Sequence, residues 1–323
     1  RVLYKADGWT IGGNSYAGPF LMYSTTGNDW TASPRVAHSA DGDSWTDIGA
    51  CTGVNTYVAD ATVYNFDVLF EGGTTWKAHA DNGEGKVEYY TSTDGLNWTG
   101  VAHDILGAPL QLWETLNTSP HAIKVDAYYV LFYGSGGTSF NQAIGMAVST
   151  DGQHFTKSAA NPIFSTTGAP SWRDDRTYTP SVFQDAADWK MYFAGKSTTG
   201  SNYSIGYATN SGLFRLISDA INAASSGDII NVAAGTYNED VSINKNLTLT
   251  PAGGTTIQNI AVTGASNIML GGDLTLSGTL TLTSGTLNNS AHPLTLGNGA
   301  TISRATGSLS AAPTFGTSVN VTY

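Results

Sequence analysis

The sequence SADGDSWT at residues 39–46 returns as STDGLNWT at residues 92–99 and as STDGQHFT at residues 149–156. A shorter copy, IGYATNSG at Ile205–Gly212, parallels IGMAVSTDG at Ile144–Gly152. Segments of alternating apolar and polar residues, which predict strands, precede the three full copies. The copies lie roughly 50 to 60 residues apart, which fits one four-stranded blade of a β-propeller per repeat. The predicted strands are Arg35–His38, Lys86–Tyr90 and Ala143–Val148.

Within each copy, the Asp-Gly pair predicts a tight turn, because Gly tolerates the left-handed conformation and Asp bonds to the backbone of its own turn. The aromatic residue three positions after Gly is expected to cover the blade edge. The recurring aspartates are therefore predicted to be turn formers and not catalytic groups. These residues are Asp41, Asp94 and Asp151, and the aromatic ones are Trp45, Trp98 and Phe155.

Upstream of the copies lie segments that predict a strand, a polar turn and an aromatic-rich strand. They give four blades by Gly212. The N-terminal segment Val2–Lys5 could complete a fifth blade, and the sequence leaves this open. The segments are Pro19–Ser24, Val58–Phe70, Pro120–Gly134 and Pro180–Gly195.

On the pattern P-[S/H]-[V/A]-[I/F] … YYxxFYG … IGxAxSTDGxxW, residues 1 to about 212 resemble the five-bladed propellers of glycoside hydrolases of the arabinanase, fructosidase and mannoside-phosphorylase type. The resemblance implies carboxylates at the centre, at the start of the innermost strands, often in an Asp-Pro sequence. Here Gly18-Pro19, Ser119-Pro120 and Thr179-Pro180 stand at the matching places, and only Asp60 keeps an acid. Hydroxyl groups cannot replace a carboxylate as general base.

An enzymatic interpretation assigns Glu114 as acid, Asp60 as base and Asp174 as modulator, with Trp113 and Trp172 stacking on sugar. The alternative is that Arg173, Asp174, Asp175 and Arg176 pair with one another on a loop. His121 and His154 have no companions at metal-ligand spacing, so neither a metal nor another cofactor is predicted.

The last third of the chain has a different sequence pattern. Leu216–Ala224 (LISDAINAA) predicts a short amphipathic helix, and residues 227–249 read GDIINVAAGTYNEDVSINKNLTL. This resembles the opening of right-handed parallel β-helices, in which a helix caps the first turn. Later short Leu/Thr/Ile strands resemble bacterial surface and adhesin proteins, and their few charged residues predict no catalytic site there. These strands are predicted at Asn267–Leu270, Asp273–Leu276, Thr279–Thr283, Pro293–Leu296 and Thr301–Ser303. Thr317–Tyr323 (TSVNVTY) predicts a final strand, paired either between subunits or within its own domain.

Charge, composition and short motifs bear on the binding partners and the location of the protein. A net charge of −11 with 14 basic residues argues against a nucleic acid partner, whose phosphates need clustered Lys and Arg. Cys51 is the single cysteine, expected to be buried, and no apolar run is long enough to span a membrane. A first residue other than Met suggests a processed or incomplete N-terminus. Six asparagines are candidates for N-glycosylation: Asn97, Asn117, Asn202, Asn246, Asn288 and Asn320.

The sequence therefore predicts an all-β chain: a propeller of four to five blades over residues 1–212 and a short right-handed parallel β-helix over residues 213–323. The predicted function is that of a non-catalytic, extracellular structural protein. It would be a cell-surface or filament-forming subunit, glycosylated and self-associating through terminal strands. The alternative is a glycoside hydrolase, or a carbohydrate-binding protein, acting in the propeller funnel.

Overall fold

A computed structural model describes residues 1–26, 33–54, 63–110, 112–125, 128–136, 142–185, 188–200, 202–210 and 216–322. The chain divides into two compact units, Arg1–Leu213 and Phe214–Tyr323, and both are built almost wholly of strands. In the described ranges, no helix is long and apolar enough to cross a membrane.

The first unit is a propeller-type array of antiparallel blades, and its described residues form four of them. Blades 1 to 3 each have four strands and blade 4 has three. Blades 3 and 4 are joined where Gln142 pairs with Arg176 in parallel. Blade 1 contains β1 (Val2–Tyr4), β4 (Phe20–Thr26), β5 (Ser33–Ser39) and β6 (Thr46–Ala50), with the hairpin of β2 (Trp9–Ile11) and β3 (Asn14–Tyr16) inserted; blade 2 contains β7 (Val63–Phe70), β8 (Trp76–Asn82), β9 (Val87–Ser92) and β10 (Trp98–Ala102); blade 3 contains β11 (Leu116–Val125), β12 (Tyr128–Gly136), β13 (Gln142–Ser149) and β14 (Thr156–Lys157); blade 4 contains β15 (Arg176–Asp185), β16 (Asp188–Lys196) and β17 (Tyr203–Asn210).

The three motif copies form the turn between the third and fourth strands of blades 1 to 3. In the copy at Ser92, the serine Oγ accepts the backbone N–H of Gly95 at 2.9 Å, and Asp94 Oδ1 accepts the N–H groups of Leu96 and Asn97 at 2.9 and 2.8 Å. The other two copies repeat these bonds. Each recurring aspartate uses a carboxylate oxygen to accept backbone N–H groups of its own turn. The prediction that the aspartates are turn formers is therefore confirmed.

Two details of the predicted blades are wrong. The described part of Val58–Phe70 is the single strand β7, which pairs with β8, so the predicted turn within it is absent. Gly18-Pro19 precedes the second strand of blade 1, and not an innermost one, because the β2–β3 hairpin separates it from β1. The N-terminal strand β1 pairs with β4 and so is the first strand of blade 1, where it adds nothing to a fifth blade.

Aromatic side chains fill the centre of blades 1 and 2. Tyr23, Trp76 and Trp98 are almost fully buried and lie within 6.2 Å of one another in the pairs Tyr23–Trp76 and Tyr23–Trp98. The Tyr23 hydroxyl donates to Gly95 O at 2.7 Å, so its polar end is satisfied inside the core. Cys51 is buried in the same cluster, as predicted.

The second unit is a parallel β-solenoid. Successive turns place register partners 19 to 22 residues apart, as in Ile230 with Leu249 and Leu287 with Leu309. Leu, Ile and Val point inward and alternate with outward Thr, Ser and Asn, so stacked turns bury one continuous apolar core. The strands are β18 (Ile229–Val232), β19 (Thr236–Ile243), β20 (Leu247–Pro251), β21 (Thr256–Val262), β22 (Asn267–Leu270), β23 (Leu274–Leu276), β24 (Thr279–Leu282), β25 (Thr286–Asn288), β26 (Leu294–Leu296), β27 (Ala300–Arg304), β28 (Ser308–Leu309), β29 (Thr314–Phe315) and β30 (Val319–Thr322).

Helix α1 (Ile217–Ala223) covers the first turn, as predicted, with Ile217 and Ile221 buried in the solenoid core. Both of its ends are bonded by side chains of the GTYNEDVSINK segment. Glu239 accepts the N–H groups of Ile217 and Ser218 at 2.8 and 3.1 Å, while Lys245 Nζ donates to Ile221 O at 3.0 Å. These charges lie at the helix ends that favour them. At the other end of the unit, β30 pairs with β27 of its own unit, the second of the two predicted arrangements.

Candidate functional site

The first strands of the four blades, here called the inner strands, converge on a cavity of about 190 Å³. Its wall is mostly polar. Small-molecule pockets usually enclose about 300–1,000 Å³, so this cavity suits a group smaller than a drug-sized ligand, such as one sugar residue. The lining residues are Arg1, Tyr23, Ser24, Thr25, Asn65, Phe66, Asp67, Ser119, Pro120, Thr179 and Pro180.

Three charged or ionisable side chains meet at the floor of this cavity because they share one register position. In each of blades 1 to 3, one of these residues pairs with a residue of the second strand. That partner lies three positions after the second-strand residue that pairs with the first serine of the motif, Ser39, Ser92 or Ser149. The pairs are Arg1 with Tyr23, Asp67 with His79, and His121 with Phe132.

Asp67 is the centre of this polar floor and is 6% exposed. Its Oδ2 accepts the N–H of Ala122 at 2.8 Å, and its Oδ1 lies 3.4 Å from Arg1 Nη1 and 3.3 Å from His121 Nδ1. Burial alone would raise the pKa of Asp67, but the neighbouring Arg1 and His121 outweigh it and the pKa lies well below its ordinary value. Asp67 is therefore an ionised group whose two oxygens are both already bonded.

His121 is fixed from its other side by blade 4. Its Nε2 lies 2.9 Å from Val182 O. Arg1 Nη1 lies 3.0 Å from Nδ1 and 2.8 Å from Nε2, so the guanidinium contacts both ring nitrogens. Nδ1 also lies 3.3 Å from Asp67 Oδ1.

Ser119 and Thr179 form equivalent parts of the cavity wall in blades 3 and 4. Both adopt the left-handed conformation, with φ of 50° in each case, and both stand where the register of their strand shifts. A left-handed residue that is not Gly is uncommon and costs free energy, so the surrounding structure must hold it. The recurrence at two equivalent positions indicates a wall of fixed shape.

Asp81 is the group that holds the wall at Ser119. This carboxylate is 2% exposed, and its Oδ2 accepts the Ser119 backbone N–H at 2.8 Å. Its two oxygens also accept the backbone N–H and the side-chain amide of Asn65, at 2.6 and 2.8 Å. Burial raises the pKa of Asp81 to about 6, against the opposing effect of these N–H donors. Asp81 itself lies behind the wall.

The predicted acid Glu114 does not line the cavity. It is 1% exposed, and its carboxylate accepts the Tyr133 hydroxyl at 2.7 Å and the Leu110 N–H at 2.8 Å. Lys157 Nζ completes the set at 3.2 Å from Oε2. Glu114 is thus part of a buried ion pair that ties its loop to blade 3.

The predicted modulator Asp174 lies on the loop before β15 and accepts the Thr198 N–H at 2.7 Å, outside the cavity wall. Within Arg173–Arg176, Asp175 pairs with Arg176 at 3.5 Å and also with Lys196 at 3.3 Å. Arg173 lies 4.4 Å from the ring of Phe164 instead of pairing with either aspartate. The predicted base Asp60 falls outside the described residues.

Trp113 and Trp172, predicted to stack on sugar, occupy equivalent places in blades 3 and 4. Each ring stacks on an aromatic ring of its own blade, Trp113 on Tyr133 and Trp172 on Phe193, with interplanar angles of 9° and 21°. Each also lies over a glycine of the third strand, Gly145 or Gly206, where a side chain would overlap the rings. Trp172 is nevertheless 37% exposed, and neither tryptophan lines the cavity.

The six glycosylation candidates differ in accessibility. Asn117 is 3% exposed, which buries its side chain inside β11. The side chains of three others hold neighbouring groups: Asn97 donates to Asp94, Asn246 accepts from the Asn267 N–H, and Asn288 accepts from Ser310. Asn202 and Asn320 are exposed.

The described residues that line the cavity include hydrogen-bonding and charged groups. Glycoside hydrolysis requires two carboxyl groups, one on each side of the scissile bond, about 5 to 10 Å apart. Asp67 is the one carboxylate that lines the cavity in the described ranges, and it is already bonded on both oxygens. By contrast, the Ser24, Ser119 and Thr179 hydroxyls have no hydrogen-bond partner among the described residues.

No family model matches the chain, and no curated protein sequence matches it. Similar solved structures include a "Glycoside hydrolase" (15% identity, TM-score 0.48, 65% of this chain and 74% of the other) and a glycosyl hydrolase from Bacteroides ovatus (17%, 0.48, 65% and 63%). A third is described as a thermostable family-43 glycoside hydrolase (15%, 0.46, 60% and 68%).

Because their TM-scores are below 0.5, these similarities do not indicate an activity for this chain. None of the three structures is described as a bacterial surface or adhesin protein, so that resemblance of the solenoid stays a prediction. Neither the structure nor the comparisons support the filament-forming structural role predicted from the sequence.

Proposed function

We propose that the chain is a carbohydrate-binding protein whose propeller cavity holds a sugar residue without cleaving it. The observation that carries the proposal is the wall itself: hydroxyls of Ser24, Ser119 and Thr179 and the amide of Asn65 surround a small cavity beside the Arg1 guanidinium. Sugar hydroxyls are donors and acceptors at once, and hydroxyl, amide and guanidinium groups can satisfy both roles.

Shape supports the same proposal. Ser119 and Thr179 are held in a strained conformation. The buried carboxylate of Asp81 accepts the backbone N–H groups of Ser119 and Asn65 and so fixes their positions. Strained residues held by their surroundings cluster at ligand sites, where a wall formed in advance lowers the entropic cost of binding. The described residues offer the cavity no acid–base pair, and for this reason we propose binding and not hydrolysis.

The test is a glycan array followed by calorimetric titration of the best ligand. Thr179→Val keeps the branched shape and removes one hydroxyl from the wall, so affinity should fall about three- to tenfold. Thr209→Val, on the exposed strand β17, is the matched control and should bind as the unchanged protein does. Equal affinity of Thr179→Val and Thr209→Val for the ligand would show that the cavity is not the binding site.

Hydrolysis is measured in the same samples as release of new reducing ends over a day. The proposal expects none. Release of reducing ends that stops in an Asp60→Asn variant would assign the chain to the glycoside hydrolases and overturn the non-catalytic part of the proposal.

Self-association through terminal strands, the extracellular location and glycosylation stay predictions.

A further inference from the structure

One edge of the Arg1 guanidinium is free to bind a ligand. Nη1 faces the floor, 3.4 Å from Asp67 Oδ1 and 3.4 Å from Ala122 O, and it also contacts His121. Nε and Nη2 have no hydrogen-bond acceptor in the described part of the chain, and the side chain is 18% exposed. A guanidinium normally places its fork of N–H groups on an acceptor, above all on a planar anion.

The anion nearest to Arg1 does not occupy that free edge. Asp67 is bonded on both oxygens by Ala122, Arg1 and His121, and its contact with Arg1 goes to Nη1 alone, at a long 3.4 Å. Asp81, the other buried carboxylate near the wall, points at Asn65 and Ser119. The Nε–Nη2 edge of Arg1 therefore has no acceptor among the described residues, although Arg1 lines the cavity together with neutral residues that carry hydroxyl and amide groups.

We infer that the cavity selects an acidic sugar, a uronate residue, with its carboxylate on the Nε–Nη2 edge of Arg1. The ring hydroxyls then face Ser119, Thr179 and Asn65. Two parallel N–H···O bonds to a carboxylate are shorter and stronger than bonds between neutral groups, and the partial burial of Arg1 limits screening by solvent. This inference rests on the proposed function and names the substrate class of the same site.

The experiment compares three ligands by calorimetric titration: an oligogalacturonide, the same oligogalacturonide as its methyl ester, and the neutral galactose oligomer of equal length. The acid should bind at least about tenfold more tightly than the ester, since one charge-assisted pair is lost on esterification. The ester changes only the ligand, so the comparison holds even where a variant fails to fold.

Two variants then test whether Arg1 causes the preference for the acid over the ester. Arg1→Gln should bind the acid and the ester equally, and Arg1→Lys should keep part of the preference, because it retains the charge but loses the fork. Thr209→Val serves as the control and should keep the full preference.

The outcomes separate the two claims. Equal affinity of the unchanged protein for acid and ester, with the neutral oligomer also bound, overturns the inference and leaves the proposed function standing. A full preference that persists in Arg1→Gln also overturns the inference. Binding of none of the three ligands, nor of any sugar on the array, overturns the proposed function and this inference with it.

Discussion

Replacing Asp81 by Asn should change how the stability of the propeller unit depends on pH. Burial raises the pKa of Asp81 to about 6 from 3.8, and a shift of about two pKa units corresponds to about 3 kcal/mol. Because the folded pKa is above the unfolded one, the contribution of Asp81 is fully present below about pH 4 and is lost as the pH rises through about 6.

The measured quantity is the free energy of unfolding in urea at pH 4, 5, 6 and 7, followed by tryptophan fluorescence. All eight tryptophans lie in residues 1–213, so the signal reports the propeller unit alone. Between pH 4 and pH 7, the free energy of unfolding of the unchanged protein should fall by about 3 kcal/mol relative to that of Asp81→Asn. Carboxylates present in both proteins cancel in this difference.

A difference that stays flat from pH 4 to pH 7 would refute this reasoning. It would mean that the N–H groups of Ser119 and Asn65 stabilise the carboxylate as much as burial destabilises it. Asp94→Asn is the control of opposite sign. Burial alone would raise the pKa of Asp94, but bonds from the N–H groups of its turn outweigh it and lower the pKa, so its contribution is present at neutral pH and is lost as the pH falls.

Three further changes test the packing. Lys157→Met leaves Glu114 buried without its cation and should lower the free energy of unfolding by about 3 to 5 kcal/mol, with Glu114→Gln in the same chain restoring part of it, both by urea titration. Gly145→Ala places a methyl group against Tyr133 and Trp113 and should cost about 1 to 3 kcal/mol in the same assay. Gly200→Ala, where the added methyl group meets only ordinary van der Waals contacts at 3.7 Å or more, should cost less than about 0.5 kcal/mol, the limit for surface changes. Glu239→Ala removes the acceptor at the start of α1 and should cost about 1 kcal/mol of solenoid stability by scanning calorimetry, and no loss would contradict the capping role.

The fold was largely predictable because its signals are local. The Ser-x-Asp-Gly turns, the alternating strands and the GTYNEDVSINK segment each describe one turn or one strand, and the structure has them where the sequence places them. The solenoid strands at Asn267–Leu270 and Thr279–Leu282 match the prediction closely. The short strand Thr286–Asn288 was missed because a single apolar residue, Leu287, marks it.

The candidate site was much less predictable. Glu114 stands just before an inner strand, and nothing nearby in the sequence shows that Lys157, 43 residues later, draws it into the blade. Arg1 directly precedes β1, Asp67 lies on β7 and His121 lies on β11, and the three share no sequence motif. Aligning the blades on their motif serines would have placed all three at one register position, which is the signal that could have found them.

The central claim is that a sugar occupies the cavity between the inner strands and stays intact there. Its most direct test is the electron density of crystals soaked with the oligosaccharide that binds most tightly in titration. We expect one sugar residue bonded to Ser119, Thr179 and Arg1, with its glycosidic bond unbroken. Density for the sugar elsewhere on the chain, or for a cleaved product in the cavity, would contradict this account.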